Sequence, residues 1–188
     1  MKKLNLIVLG IASLSIVSLN ADAEAPETYI GIGQGEYKFE FDSDDIDTDF
    51  EDDQGVSRIY IGSKFSETVG IEFSFLEFDD ANQNNLETEI EGLSLAGILS
   101  APLSEHFSVF GKAGWFSWQA DVDGQIGTGP AAISFSNEYE GDDLFYGLGL
   151  KLGLTNHVDL RVDYDRYELD EEIDPELDIL SANVQFVF

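Results

Sequence analysis

The sequence predicts an all-β fold: an eight-stranded antiparallel up-and-down transmembrane β-barrel. Three observations point to it. Period-two alternation of apolar and polar residues recurs along the chain. The connections between alternating segments are short and long in turn, as expected of an up-and-down membrane barrel. The chain opens with an export signal.

The export signal comes first in chain order. Lys2 and Lys3 form a positive start, and Leu4 to Leu19 is apolar. Ala21-Asp22-Ala23 is an A-x-A cleavage signal, which makes Glu24 the expected first mature residue. The expected organisation is therefore a signal peptide over 1–23 and a barrel domain over 24–188. The apolar core of the leader is short for a span of about 20 residues, so cleavage is favoured over an anchor. Removing Lys2, Lys3 and Asp22 leaves seven basic against 37 acidic residues.

The clearest strand alternates Leu144, Tyr146, Leu148, Leu150, Leu152 and Leu154 with Phe145, Gly147, Gly149, Lys151 and Gly153. The next alternates Val158, Leu160, Val162 and Tyr164 with Asp159, Arg161, Asp163 and Asp165. The last alternates Leu180, Ala182, Val184, Phe186 and Phe188 with Ser181, Asn183, Gln185 and Val187. Five earlier segments, near 28–41, 55–65, 69–78, 89–100 and 107–119, show the same pattern with less contrast. In the first, Tyr29, Tyr37, Phe39 and Phe41 fall on the apolar face, and Gln34, Glu36, Lys38 and Glu40 on the polar one. In the third, Val69, Ile71, Phe73 and Phe75 oppose Glu72 and Ser74; in the fifth, Val109, Ala113 and Trp115 oppose Lys112. Ser66 to Thr68, Ala101 to His106 and Thr155 to His157 read as short turns. Residues 42–54, 79–88, 120–143 and 168–177 read as long loops.

Composition narrows the function. The net charge of −29 and pI near 4.1 argue against nucleic acid as a partner. The absence of Cys excludes disulfides and thiolate chemistry, and two His leave little for an imidazole metal site. His106 and His157 both fall in short turns, the wrong end for chemistry on outer-leaflet lipid. No enzyme activity is expected.

The polar strand face carries both signs of charge. Lys38, Arg58, Lys64, Lys112, Lys151 and Arg161, six of the seven mature basic residues, fall on strand positions assigned to it. An eight-stranded membrane barrel has a narrow lumen filled by side chains, and carboxylates buried there need partners. The cations are thus expected as lumen counter-charges. Trp115, Trp118, Tyr146, Tyr164 and Phe186 are candidate interfacial aromatics. Trp118, in phase with Lys112, is equally placed to cap the lumen near the outer rim.

The acid is concentrated in the long connections. Nine carboxylates lie in residues 40–53 and eight in residues 165–178. Such density repels itself, and hard divalent cations with oxygen ligands would relieve it. Asp45, Asp47 and Asp49 have the opening spacing of a calcium loop. However, Phe50 stands where Gly is needed for the sharp turn, and Val56 where a Glu should close the loop. Weak Ca²⁺ or Mg²⁺ binding is the most this pattern supports, with bridging to lipopolysaccharide phosphates as its expected use. Gly127-Thr128-Gly129-Pro130, in the longest loop, lacks the Lys-Ser/Thr of a phosphate cradle.

These residues together resemble the OmpA-type eight-stranded membrane domain of Gram-negative outer membranes. Val69-Gly70-Ile71-Glu72 resembles the third strand of that family, whose Glu belongs to a lumen ion-pair cluster. Ala101-Pro102-Leu103-Ser104 with Phe107 to Trp118 and Ala120-Asp121 resembles its short turn and fifth strand; Lys112 stands where the family has a lumen Arg. Leu154-Thr155 and Leu160-Arg161-Val162-Asp163-Tyr164 resemble its sixth turn and seventh strand, and Arg161 matches a lumen Arg. Ile98 replaces a lumen Lys and Lys151 a lumen Glu, so the pairing must be redrawn. The resemblance implies an ion-paired lumen of Glu72, Lys112, Lys151, Arg161 and Asp163. It also implies an outer-membrane location among lipid and lipopolysaccharide, with insertion by the barrel-assembly machinery. The in-phase pair Phe186 and Phe188 resembles the C-terminal assembly signal. A monomer with a structural or surface-interaction role is expected, with acidic extracellular loops. A peptidoglycan-binding domain is not expected, so cell-wall tethering is not implied. Two alternatives are a small ion-conducting pore and a secreted soluble ligand-binding barrel.

Overall fold

A computed structural model describes residues 26–40, 54–83, 86–126, 133–168 and 176–188. The leader 1–23, the Asp45, Asp47 and Asp49 triplet and Gly127 to Pro130 lie outside the described residues.

Eight strands occupy the described residues: β1 (Glu27–Glu40), β2 (Gln54–Lys64), β3 (Val69–Gln83), β4 (Leu86–Pro102), β5 (Phe107–Ile126), β6 (Ile133–Gly153), β7 (Val158–Glu168) and β8 (Glu176–Val187). Each pairs antiparallel with its sequence neighbour, and β8 pairs with β1 to close the barrel. Closure leaves no unpaired backbone in the hydrocarbon, the condition for strands to cross a membrane.

The register fixes the size. Passing around the barrel from pair to pair leads from Tyr29 through Gly62, Glu72, Ala96, Gly114, Phe145, Tyr167 and Leu177 to Phe39. The stagger on closure is therefore ten residues, from position 29 to 39. Over eight strands this implies a tilt of about 40° and a backbone radius on the order of 8 Å. Side chains fill such a cylinder.

The turns at 65–68, 103–106 and 154–157 share one end with both described termini. Phe188 N–H donates to Thr28 O at 2.9 Å, and Val187 N–H donates to His157 O at 3.0 Å. The Ser66 and Ser104 hydroxyls accept backbone N–H bonds across their turns at 3.1 Å each, a local capping that tightens these short connections.

The apolar stripe faces outward, as the alternation predicts. Leu144, Leu148, Leu150, Leu152, Leu160, Val162 and Leu180 are all exposed on the wall, Leu148 by 69%. Trp115, Tyr146, Tyr164 and Phe186 are outward as well. Polar residues and charges lie inside: Arg58, Glu72, Lys112, Arg161, Asp163 and Asp165 are buried. That inversion suits lipid outside and rules out the soluble-barrel alternative.

Two expectations need correction. The phase of β1 is opposite to the one read from its aromatics. Tyr29 and Tyr37 point inward and are buried, while Ile30 and Ile32 face out. Lys38 consequently lies on the outer face, paired in register with Asp178 rather than placed in the lumen. Tyr29, with Tyr60 of β2, is accommodated by glycine. The Tyr60 ring occupies the space of a Cβ on Gly31, and the Tyr29 ring that of a Cβ on Gly62. Two adjacent strands thus exchange ring for hydrogen, and small residues opposite large ones let an eight-stranded interior hold them.

The second correction concerns 79–88 and 120–143. These are mostly strand: the β3–β4 ladder continues to Gln83↔Leu86 and the β5–β6 ladder to Ile126↔Ile133. The outward face there turns from apolar to acidic, at Glu77, Asp79, Glu91, Asp121, Glu138, Glu140 and Asp142. Beyond the lipid a strand needs no apolar face, so the alternation fades while the ladder persists. The loop side of the lumen is apolar.

Candidate functional site

The lumen is stacked in three layers, because each strand presents alternate residues inward at successive heights. At the turn end, Lys64 Nζ lies 2.6 Å from Glu27 Oε1, and Lys151 Nζ 3.3 Å from Asp159 Oδ2. Gln185 donates from Nε2 to Asp159 at 3.0 Å.

The middle layer is a closed ion-pair network. Arg58 reaches Glu72 at 2.7 Å, Asp163 at 3.0 Å and Asp165 at 3.2 Å. Arg161 reaches Glu72 at 2.6 Å and Asp163 at 2.9 Å. Lys112 reaches Asp165 at 2.7 Å and Asp163 at 3.2 Å. Three cations meet three carboxylates from β2, β3, β5 and β7, so the cluster is neutral. All six side chains are almost fully buried. Neutral polar groups take up further valences: Tyr29 donates its hydroxyl to Glu72 at 3.0 Å, and Arg58 donates to Ser74 Oγ at 2.9 Å. Arg161 donates to Gln185 Oε1 at 3.1 Å. Its guanidinium also lies 4.6 Å from the Tyr60 ring centre and 4.5 Å from that of Phe110, within cation–π range.

The structure thus brings Glu72, Lys112, Arg161 and Asp163 together and leaves Lys151 in a separate pair at the turn end. Two further members were visible on polar strand faces but absent from the expected network: Arg58, which contacts all three carboxylates, and Asp165. Strand phase shows that they point inward. Only barrel closure shows that β2 and β7 meet across the lumen. Ile98, in place of the family's Lys, is buried beside Lys112 in register.

The loop-side layer is apolar. Tyr37, Val56, Leu76, Phe78, Ala96, Phe116, Phe145, Tyr167, Leu177 and Ile179 form one buried cluster, with Trp118 and Ile90 packed on it. The Tyr167 ring stacks on Phe145 at 4.9 Å and meets Phe116 edge-on at 4.6 Å. Trp118 closes the outer end and donates from Nε1 to Asp143 at 2.6 Å. It is therefore the lumen cap and not an interfacial aromatic. The signal for this layer was present in the sequence. It lies where alternation breaks into adjacent apolar residues: Phe75-Leu76, Trp115-Phe116, Leu144-Phe145-Tyr146 and Ile179-Leu180.

On the outer rim, loop-side of Tyr164, Arg166 holds Asp178 through bonds of 2.7 and 2.6 Å and Glu176 at 2.7 Å. Partial burial pushes the Asp178 carboxyl up, but the Arg166 and Tyr164 hydrogen bonds outweigh it and hold the group below its usual range. At the other end, Phe186 and Phe188 face outward, next to the closing seam between β8 and β1. Among the described residues, no group of three or more His, Asp or Glu is arranged to hold a metal ion.

A closed eight-stranded barrel with a greasy wall and a charged interior defines an integral membrane β-barrel protein. The chain belongs to the outer membrane protein beta-barrel domain family, whose model matches residues 7–188. It sits in the outer membrane. A comparison with curated proteins finds no match. Solved structures share the fold. Neisserial surface protein A has a TM-score of 0.67 at 14% identity, covering 88% of this chain and 100% of its own. Ail, the attachment invasion locus protein of Yersinia pestis, has 0.62 at 17%, covering 88% and 100%; it has also been solved in complex with the heparin analogue sucrose octasulfate. The N-terminal β-barrel domain of Pseudomonas aeruginosa OprF has 0.58 at 14%, covering 88% and 99%.

Proposed function

We propose that this protein is a non-conducting, non-enzymatic surface-interaction barrel. A rigid membrane anchor holds acidic strands and loops outside the cell. The observation that carries this reading is the double closure of the lumen. A neutral ion-pair layer lies below an apolar layer, and an ion would have to break the first and then cross the second without water. Burying an unpaired charge costs several kcal/mol on the order-of-magnitude scale. The pore alternative loses its path. His106 and His157, in the short turns, give no base at the loop end. Planar-bilayer recording tests the proposal: the refolded, heat-modifiable barrel is expected to stay silent, and a steady single-channel current would overturn it.

The reading extends to the partners. Lipopolysaccharide surrounds the wall, the barrel-assembly machinery recognises the Phe186 and Phe188 end, and the protein is a monomer. The loop carboxylates, Asp45, Asp47 and Asp49 among them, bind Ca²⁺ or Mg²⁺ weakly; calorimetry with no heat at millimolar cation would dispose of that part. A polyanion such as the heparin analogue bound by Ail does not suit the acidic outward face of this chain.

A further inference from the structure

The outward face of the neighbouring strands β1 and β2 is apolar over a short stretch only. From the turn end, its cross-strand pairs are Thr28↔Ser63, Ile30↔Ile61, Ile32↔Ile59 and Gln34↔Ser57, and Glu36↔Gly55 follows. Four exposed isoleucines are thus bracketed by polar pairs at both ends. Gln34 and Glu36 are exposed, and Ser57 is half-buried. On β2 and its turn the exposed apolar run reaches from Ile59 to Phe65. At a tilt of about 40° it spans about 15 Å along the barrel axis. On β6 the exposed run from Leu144 to Leu154 spans about 25 Å on the same reckoning.

The difference lies at the loop-side end. A stagger of ten residues over eight strands lifts each register row by about 1.25 residues per strand. On that scale Ile32 is level with Leu148, and Gln34 with Tyr146. Gln34 therefore falls about 6 Å below Leu144, and Ile32 about 11 Å below it. At the turn end Phe65, Leu103, Leu154 and Phe188, all exposed, lie within about 4 Å of one height. Tilting the whole barrel would move both edges of one side together. Here the loop-side edge drops while the turn-side edge stays level, so tilting does not restore the match. A bilayer that fits β6 is too thick for β1 and β2.

We propose that the β1–β2 face thins the outer leaflet beside it and draws lipid headgroups down to Gln34 and Ser57. The Gln34 amide and the Ser57 hydroxyl donate to headgroup oxygens, partners that hydrocarbon does not offer. Glu36, level with Leu144, then stands in the headgroup layer rather than in the acyl chains. A wall shorter than the hydrocarbon is met by local thinning of the bilayer. The occupant is lipid because polar, apolar and polar rows follow each other as a bilayer presents them. The face is also continuous with the lipid-facing wall at Leu180 on β8 and Phe75 on β3. A second copy on this face would bring Glu36 against Glu36, a like-charge contact that disfavours it. Lipids with short acyl chains gather on this side of the barrel, and long ones against β6.

The chain has no Cys, so a single introduced cysteine carries a nitroxide at one known place. Ile32→Cys and Leu148→Cys are matched in height and leave Gln34, Glu36 and Ser57 in place. Each labelled barrel is refolded into phosphatidylcholine vesicles at high lipid-to-protein ratio. Collision with oxygen against a water-soluble nickel chelate reads the depth of the label. The Ile32 label should read about 6 Å shallower than the Leu148 label, the drop from Leu144 to Gln34. Labels at Phe65→Cys and Leu154→Cys should read equal depths from the inner surface. Gln34→Leu with Ser57→Leu should bring the Ile32 label down to the depth of Leu148. Equal depths for Ile32 and Leu148 in the first pair would overturn the proposal. So would an offset matched at the turn end, which would mean tilt. An Ile32 label shielded from both oxygen and nickel would place a second copy on the face and overturn it as well. The first pair of labels keeps the test decisive if the double Leu variant fails to fold.

Discussion

Arg58 on β2 and Asp163 on β7 are 105 residues apart in sequence and 3.0 Å apart in the lumen. Neither strand pairs with the other. Their contact crosses the barrel, and it joins the two halves of a neutral cluster in which Arg58 touches Glu72, Asp163 and Asp165.

Removing one partner strands buried charge. Arg58→Ala should destabilise the folded barrel by about 3–5 kcal/mol, the usual cost of breaking a buried pair. Urea unfolding in lipid vesicles measures it. Combining Arg58→Ala with Asp163→Asn should cost less than the sum of the two, because the second change removes a charge the first left unpaired.

The wall is the opposite case. Leu150 faces outward on β6, 48% exposed. Leu150→Arg should cost about 2–4 kcal/mol near the bilayer midplane. Refolding yield into lipid, read from the boiled-against-unboiled gel shift, reports it. Unchanged refolding would reverse the facing of β6.

The reciprocal packing of Tyr60 over Gly31 makes a third test. Gly31→Val places atoms where the Tyr60 ring lies, and should cost roughly 1–3 kcal/mol by overpacking. Adding Tyr60→Ala should recover part of that loss. No recovery would mean the strand itself, and not the ring, rejects the larger residue.

The two closures of the lumen act in series. Tyr167→Ala removes the ring between Phe116 and Phe145 and should cost about 3–5 kcal/mol. Bilayer recordings should nonetheless stay silent, since the ionic layer beneath remains intact. Current through this single variant would show that the apolar layer alone holds the lumen shut.

The rim pair Arg166–Asp178 gives a pH dependence. The carboxyl of Asp178 is held below its unfolded value, so its contribution is present at neutral pH and is lost as pH falls through the folded value. Stability of the wild type should drop more steeply below about pH 4 than that of Asp178→Asn. The effect is small, because both side chains are partly exposed to screening solvent. Parallel slopes would remove the pair from the stability account.

Much of the fold was legible because a membrane wall and a small lumen impose opposite chemistry on alternate residues. Leu144 to Leu154 and Val158 to Tyr164 showed their facing outright. Strand β1 did not, since its inward tyrosines look apolar, and only Gly62 on the neighbouring strand explains how Tyr29 fits. The projecting ends of β3 to β6 were read as loops, because above the lipid no apolar face marks a strand. Within the lumen, inward phase was readable at Glu72, Lys112, Arg161 and Asp163, while partner choice was not.

The sequence by itself determined the class of fold, the strand facing over most of the wall, the location and the charge of the outer surface. These depend on local periodicity and on composition, which a single chain carries in order. Only the closed barrel shows which charges meet, that Lys151 stands apart from Arg58, and that the loop side of the lumen is filled by Phe116, Phe145 and Tyr167. Those depend on the ten-residue stagger with which β8 closes on β1. Stagger sets which side chains share a height, and no residue carries it alone.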